Sequence, residues 1–404
     1  MKSTVFLLSL VLFVGCNSED EVRDDEPRGE TGEAASLVAE LESAPAPPVD
    51  WPLFRGGPEL KGVAEVTLAP PLTPDWTFEA GDAVTGSPVI AEGAVFIGSM
   101  NGIFYALDLE TGDKKWEYAA EDDDGLEARI EGPACYVDGI IVFGTDLGLV
   151  VALDAKTGEE KWRFTAEDKV SGGPTYFRNP ESGEVTIIVG SHDYFVYGLG
   201  IEDGEKLWEY ETGYYVNGTP VVQRGRILFG GCDGMIHQVS AALGEVIASD
   251  EIGYYIGNNI VVENDIAYIA HHENEVMAFD LEKKETVWQF GERDFEYVAS
   301  PALTDDSVLA ASLDKRLYRI DREKGTKKWE FRARKPISGS PVLAGAHVYV
   351  GSHDGRFYAI DYETGEEAWN YEIGEQIKSS PAVVEGRVVI GADDGVIYSF
   401  VSEG

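Results

Sequence analysis

Beyond about residue 75 the chain is written in short β-rich apolar runs broken by small turn residues. The breaks read Gly-Ser-Pro, Glu-Gly, Asn-Gly or Asp-Gly, and Thr-Gly, in that order, again and again. Asn101-Gly102, Asp233-Gly234, Asp354-Gly355 and Asp394-Gly395 supply the positive φ that a tight hairpin requires. In the first unit, strand A follows Ser87-Pro88 as Val89-Ile90, B is Ala94–Ile97, C is Ile103–Leu107, and D ends at Trp116.

The unit recurs eight times, as Val95–Asp108, Ile141–Asp154, Ile187–Gly200, Ile227–Ser240, Ala267–Asp280, Val308–Asp321, Val348–Asp361 and Val388–Val401. Trp76, Trp116, Trp162, Trp208, Trp288, Trp329 and Trp369 lie 40, 46, 46, 80, 41 and 40 residues apart, and Ala248 stands where the long gap would hold another. A period near 40 means propeller blades or helical arrays, and the hairpin pattern excludes the helices. The predicted fold is all-β: an eight-bladed β-propeller of four-stranded antiparallel blades. Two longer spacings come from extra residues around Asp122–Gly125, in a D–A loop, and at Asn179–Glu184, in an A–B loop. The eighth repeat ends at Gly404 without a strand D, while Thr73–Trp76 precedes the first blade without a partner. An open ring would expose sheet edges, so the N-terminal strand is expected to close it.

The first fifty residues follow another pattern. Met1–Gly15 is one Lys and then an almost unbroken apolar stretch, too short for the roughly 20 residues of a membrane-spanning helix, and reads as a signal peptide. Phe13-Val14-Gly15-Cys16 looks like a bacterial lipobox, which makes Cys16 the expected lipidation site. Asn17–Asp50 carries 11 acidic and 2 basic residues and ends in Ala-Pro-Ala-Pro-Pro, the composition of a disordered tether. The expected domains are therefore 1–15 signal peptide, 16–50 tether and 51–404 propeller. Cys135 and Cys232, alone and distant, make no disulfide framework.

Composition narrows the function classes. The net charge of −41 excludes nonspecific binding to nucleic acid, which runs on Lys and Arg, and adhesion to anionic lipid through protein charge. A membrane would be reached through the N-terminal lipid alone.

The repeats carry a family resemblance. Ala106-Leu107-Asp108-Leu109-Glu110-Thr111-Gly112-Asp113-Lys114-Lys115-Trp116 resembles the tryptophan-docking motif of pyrroloquinoline-quinone-type (PQQ-type) propellers, and it returns at Asp154…Thr157-Gly158…Trp162 and Asp361…Thr364-Gly365…Trp369. Asp203-Gly204…Trp208 and Asp321…Gly325…Trp329 are partial copies; Ser240…Gly244…Ala248 and Asp280…Lys284…Trp288 are degenerate. The motif implies a quinoprotein-like ring in which each Trp docks flat between neighbouring blades. Trp51-Pro52-Leu53-Phe54-Arg55-Gly56 resembles an opening segment of bacterial members. The layout of anchor, acidic tether and ring resembles BamB-like lipoproteins of outer-membrane protein assembly. The other branch, the quinoprotein dehydrogenases, holds its cofactor against an adjacent Cys-Cys ring above calcium, and no two Cys are adjacent here.

Site chemistry is sparse. His192, His272 and His353 fall in B–C turns of alternate blades, whereas a metal needs ligands about 2 Å from one point, so they read as turn residues, with His271-His272 at most a weak cation site. Acidic runs such as Glu121–Asp124 lack calcium-loop spacing and read as solvated loops. No Gly-x-Ser-x-Gly, His-Glu-x-x-His or phosphate loop occurs. Neither PQQ nor calcium is expected. Aligning the units on their Pro places Tyr214 and Tyr215 (blade 4), Tyr254 and Tyr255 (blade 5), and Phe295 and Tyr297 (blade 6) at one funnel rim, flanked by Arg129, Lys169, Arg334, Lys335 and Lys378. Aromatics beside cations are what binding hot spots are made of. The expected function is a non-enzymatic exported binding or scaffold lipoprotein: monomeric, periplasmic on the outer membrane, with a protein partner in the cell envelope. A PQQ-dependent dehydrogenase and a ligand-sensing propeller are the alternatives.

Overall fold

The computed structural model describes residues 50–402. The expected signal peptide, Cys16 and nearly all of the tether lie outside the described residues. Among those described, no helix is long and apolar enough to cross a membrane.

Eight antiparallel sheets succeed one another along the chain, each ordered A-B-C-D. Blade 1 runs Val89–Ala91, Ala94–Gly98, Ile103–Asp108 and Lys114–Ala119, one residue beyond the expected ends of strands A, B and C and three beyond Trp116, where D was expected to end. The two insertions sit in loops, Asp122–Gly125 as a small hairpin tip and Asn179–Glu184 between strands A and B of blade 3. Strands B and C, apolar on both faces, are buried; strand D keeps one residue in two or three against its neighbour and leaves the rest, charged in most blades, to solvent.

The expected closure is present. Leu72–Glu79 pairs antiparallel with Val396–Ser402, with Trp76 opposite Ser399, and so supplies strand D of blade 8. It is longer than the Thr73–Trp76 stretch read from the repeats, because both flanks continue the ladder.

The docking motif works between blades. Asp108 Oδ1 accepts the N–H groups of Glu110 and Thr111, which closes the C–D turn and leaves Gly112 at φ 73°. A Cβ on Gly112 would fall 2.7 Å from the indole of Trp76, the tryptophan of the preceding blade, so only glycine fits. The Trp76 Nε1–H then donates to Leu109 O at 2.9 Å. Trp116, Trp162, Trp288 and Trp329 donate in the same way to Ala155, Ile201, Arg322 and Tyr362 carbonyls. Each buried indole contributes on the order of 3 kcal/mol at about 25 cal/mol per Å².

Around the axis, Ser380 N–H donates to Ser87 Oγ, Ser340 N–H to Ser380 Oγ, and Ser300 N–H to Ser340 Oγ; Ser300 Oγ–H donates to Asn259 Oδ1, and Asn259 Nδ2 to Thr219 O. The serines read as turn formers before Pro therefore stitch blades 4 to 8 and blade 1 together. The segment from Trp51 to Leu68 crosses the other ends of the A strands. It meets Ile90, Tyr136, Val222 and Leu303 by main-chain bonds, and adds Val63–Ala64 as a parallel strand to blade 7. Its Arg55 is buried: Nε donates to Leu60 O, Nη1 to Ser300 O, and Nη2 to the carbonyls of Pro301 and Lys61. Among the described residues no carboxylate pairs with it, and burial pulls its pKa down to about 9.

Candidate functional site

The end of the ring opposite that crossing segment is framed by two loops per blade. In every blade a D–A carbonyl accepts the N–H of a B–C turn residue: Ala83 from Met100, Arg129 from Asp146, Lys169 from His192, Tyr215 from Cys232, Tyr255 from His272, Glu296 from Leu313, Pro336 from His353, and Gln376 from Asp393. These eight positions form the rim. Arg129, Lys169, Tyr215 and Tyr255 are strict equivalents on it. Tyr214, Tyr254, Phe295 and Lys335 sit one residue earlier, and Lys378 two residues later.

The next residue in each loop points inward as a wedge. Ile130, Val170, Val216, Ile256 and Ile377 pack on Gly98, Gly144, Gly190, Gly230 and Gly351 of the preceding blade, where a Cβ would collide with them. Tyr297 occupies this slot in blade 6. It is 1% exposed, 6.0 Å from the Tyr318 ring, and therefore cannot belong to a surface rim. Expecting it there was a register error of one residue, which exchanges an outward for an inward side chain.

The other aromatics reach the surface, Tyr215 and Tyr254 half-buried, as two clusters and two single rings. Tyr214 stacks on Tyr194 at 5.6 Å and touches Tyr215 at 4.4 Å, while Tyr215 stacks on His192 at 4.8 Å. Tyr254 lies flat on His271 at 4.5 Å, and Tyr255 and Phe295 stand exposed. Sequence reasoning missed Tyr194; its signal was a Tyr at the position that Gly fills in sister turns, where the backbone takes a positive φ (78°).

The mouth inside the rim is polar and largely satisfied from within, with Asp393 Oδ1 a buried exception. Ser171 Oγ meets His192 Nε2 at 3.0 Å, Asn217 Nδ2 reaches Cys232 Sγ at 3.1 Å, and Ser338 Oγ meets His353 Nε2 at 2.6 Å. Lys169 pairs with Glu131 at 2.5 Å and Lys378 with Asp393 at 2.6 Å, so two of the flanking cations already have carboxylate partners. Arg129 and Lys335 are exposed, with no ion pair among the described residues. Burial, then the neighbouring Lys169 and Lys378, holds His192 and His353 below the usual imidazole pKa. Among the described residues no group of three or more His, Cys, Asp or Glu could hold a metal ion. Toward PQQ, a tricarboxylate, the mouth presents two neutralised pairs, Lys169–Glu131 and Lys378–Asp393, while the cations Arg129 and Lys335, unpaired among the described residues, stand out on the rim.

Four-stranded blades pinned by tryptophans on the glycines of C–D turns define a PQQ-type β-propeller. The chain belongs to the family described as outer membrane protein assembly factor BamB, whose model matches residues 73–130, 125–331 and 313–403. A curated BamB from Moranella endobia (strain PCIT) is 24% identical over 261 residues, 62% of this chain and 55% of that protein. The chain thus spans about half the length of that relative. The crystal structure of BamB from Moraxella catarrhalis superposes with a TM-score of 0.68 at 22% identity, covering 82% of this chain and 98% of that one. Quinohemoprotein alcohol dehydrogenase from Comamonas testosteroni gives 0.75 at 14% identity, over 93% and 85%. Both likenesses are of fold.

Proposed function

We propose that this protein is a non-enzymatic binding or scaffold module of the cell envelope, serving outer-membrane protein assembly and held to the periplasmic side of the outer membrane by lipid on Cys16. The observation that carries the reading is the arc of exposed Tyr194, Tyr214, Tyr255 and Phe295 on consecutive blades of one rim. Rigid aromatics at the edge of a preorganised ring give contact area at low entropic cost. The polar mouth beneath them makes most of its hydrogen bonds to itself, which favours a protein gripping the rim over a small molecule entering the axis. Among the relatives, the name BamB supports the assembly role. The dehydrogenase neighbours keep one alternative in view, a quinone-dependent enzyme; the charge of the mouth speaks against it, and dye reduction with alcohols after adding PQQ and calcium would establish it.

The test is affinity for the barrel-assembly complex purified from the source cell. Tyr214→Ala with Tyr255→Ala should weaken it at least tenfold, about 1.4 kcal/mol, at unchanged melting temperature. Binding that survives this pair would remove the rim from the reading.

A further inference from the structure

On the face that carries the C–D turns, blades 1, 2 and 6 share an ion pair. The lysine before the strand D tryptophan reaches the aspartate that opens the turn: Lys115–Asp108 at 2.8 Å, Lys161–Asp154 at 3.3 Å and Lys328–Asp321 at 3.8 Å. Blades 3 and 4 lack both partners. Their equivalents are Leu207 with Gly200, and Ile247 with Ser240. The result is an apolar shelf on an acidic molecule, with Leu207 55%, Leu243 63%, Val246 60% and Ile247 56% exposed.

A cavity of about 370 Å³ opens onto this shelf, with Phe177, Leu207 and Ala242 in its apolar wall and Glu184, Glu202 and Asp203 beside them. None of these three carboxylates has an ion-pair partner among the described residues. Glu184 accepts from Ser182 Oγ and Asp203 from the Glu205 N–H. Ala242 runs directly into Leu243, so cavity and shelf adjoin. The shelf's strand, Val246–Glu251, is last in its sheet and hydrogen-bonded on one side, and it carries neither Lys nor Pro to block pairing.

We propose that this outer corner of blades 3 and 4 is a second docking surface, taking an extended basic segment of a partner polypeptide. Its main chain lies along Val246–Glu251, and a Lys or Arg side chain enters the cavity, stem against the apolar wall and charge among the carboxylates. Charge selects this occupant. The chain's own Asn17–Asp50 segment, with 11 acidic and 2 basic residues, is repelled, and so is a second copy of a chain whose net charge is −41.

The probe is a fluorescein-labelled decapeptide of alternating Lys and Val, titrated with the full chain by fluorescence anisotropy at about 0.15 M salt. Saturable binding is expected. L207N/I247N, which changes no charge, should weaken it at least about tenfold, and E184Q/E202Q should weaken it as well. The same charge change on blades 7 and 8, E366Q/E385Q, should leave it unaltered, as should Y214A/Y255A, so this surface and the rim fail independently. Equal weakening by the two Glu→Gln pairs, or no effect of L207N/I247N, would reduce the binding to general charge attraction and overturn the proposal. A wild-type dimer in sedimentation equilibrium that L207N/I247N dissociates would also overturn it, by making the occupant a second copy.

Discussion

His271 holds the position that Ser191, Ser312 and Ser352 hold in blades 3, 6 and 7. There the serine Oγ accepts the N–H two residues on, from Asp193, Asp314 and Asp354; in blade 5 the Nδ1 of His271 accepts from Glu273 at 3.2 Å. The ring is fully buried against Tyr254, and its Nε2 finds no partner among the described residues. Burial, then the adjacent His272, pulls its pKa from 6.5 down to about 4. The unfolded chain therefore takes up this proton near pH 6.5 and the folded one only near pH 4. Between those values the unfolded state binds more protons, so stability is full above the window and falls as pH falls through it. His271→Ser keeps the acceptor and removes the titrating ring. The drop in melting temperature from pH 7 to 4.5 should shrink in this variant, with His192, His347 and His353, all held low by burial, and carboxylates held low by their ion pairs, such as Glu160 and Glu330, supplying the remainder; an unchanged drop would clear His271. The repeats make its turn position legible in sequence. Its burial is not, because that comes from Tyr254, which the alignment places on a rim.

The strand elements carry a second lesson, at the seam between blades 4 and 5. Two residues after each docking position the other seven blades have an aromatic that meets the next blade, as in Phe164–Tyr197 at 5.0 Å and Phe331–Tyr358 at 5.1 Å. Blade 4 has Ala248 and Asp250 instead of the pair. In blade 5 the turn glycine has become Lys284, still at φ 57°, and its Nζ pairs with Asp250 at 2.6 Å. The fourth and fifth copies, each degenerate in sequence, are thus the two halves of one altered contact. The glycine is dispensable because no indole arrives to demand it. Sequence alone could show that Ala248 and Lys284 depart from the motif; that they face each other follows only once each Trp is known to dock on the following blade. Ala248→Trp should destabilise by about 1–3 kcal/mol against the lysine stem. Combined with Lys284→Gly it should recover, with a coupling of at least about 1 kcal/mol in urea denaturation. Additive effects would mean the two residues do not share a seat.

For the whole molecule, blade number, strand order and closure were legible because a repeat can be counted, and a missing strand at one end matches a surplus strand at the other. The path of Trp51–Leu68 was not, since a segment that occurs once has no sister copy to interpret it. Both features bear on how the ring holds together. Removing residues 1–80 takes away strand D of blade 8, leaves the Val396–Ser402 edge unpaired, vacates the Trp76 seat at Gly112, and strips Arg55 from the carbonyls of Ser300 and Pro301. Loss of one such Trp alone costs about 3–5 kcal/mol, and each kcal/mol moves the melting temperature of a large domain by about 2–4 °C. The truncated chain should therefore melt at least about 10 °C lower or aggregate through its open edge. A synthetic peptide spanning residues 50–80, added in trans, should restore much of the loss by refilling the same ladder. A truncated chain that keeps the full-length melting curve would show that the ring is held without the exchanged strand.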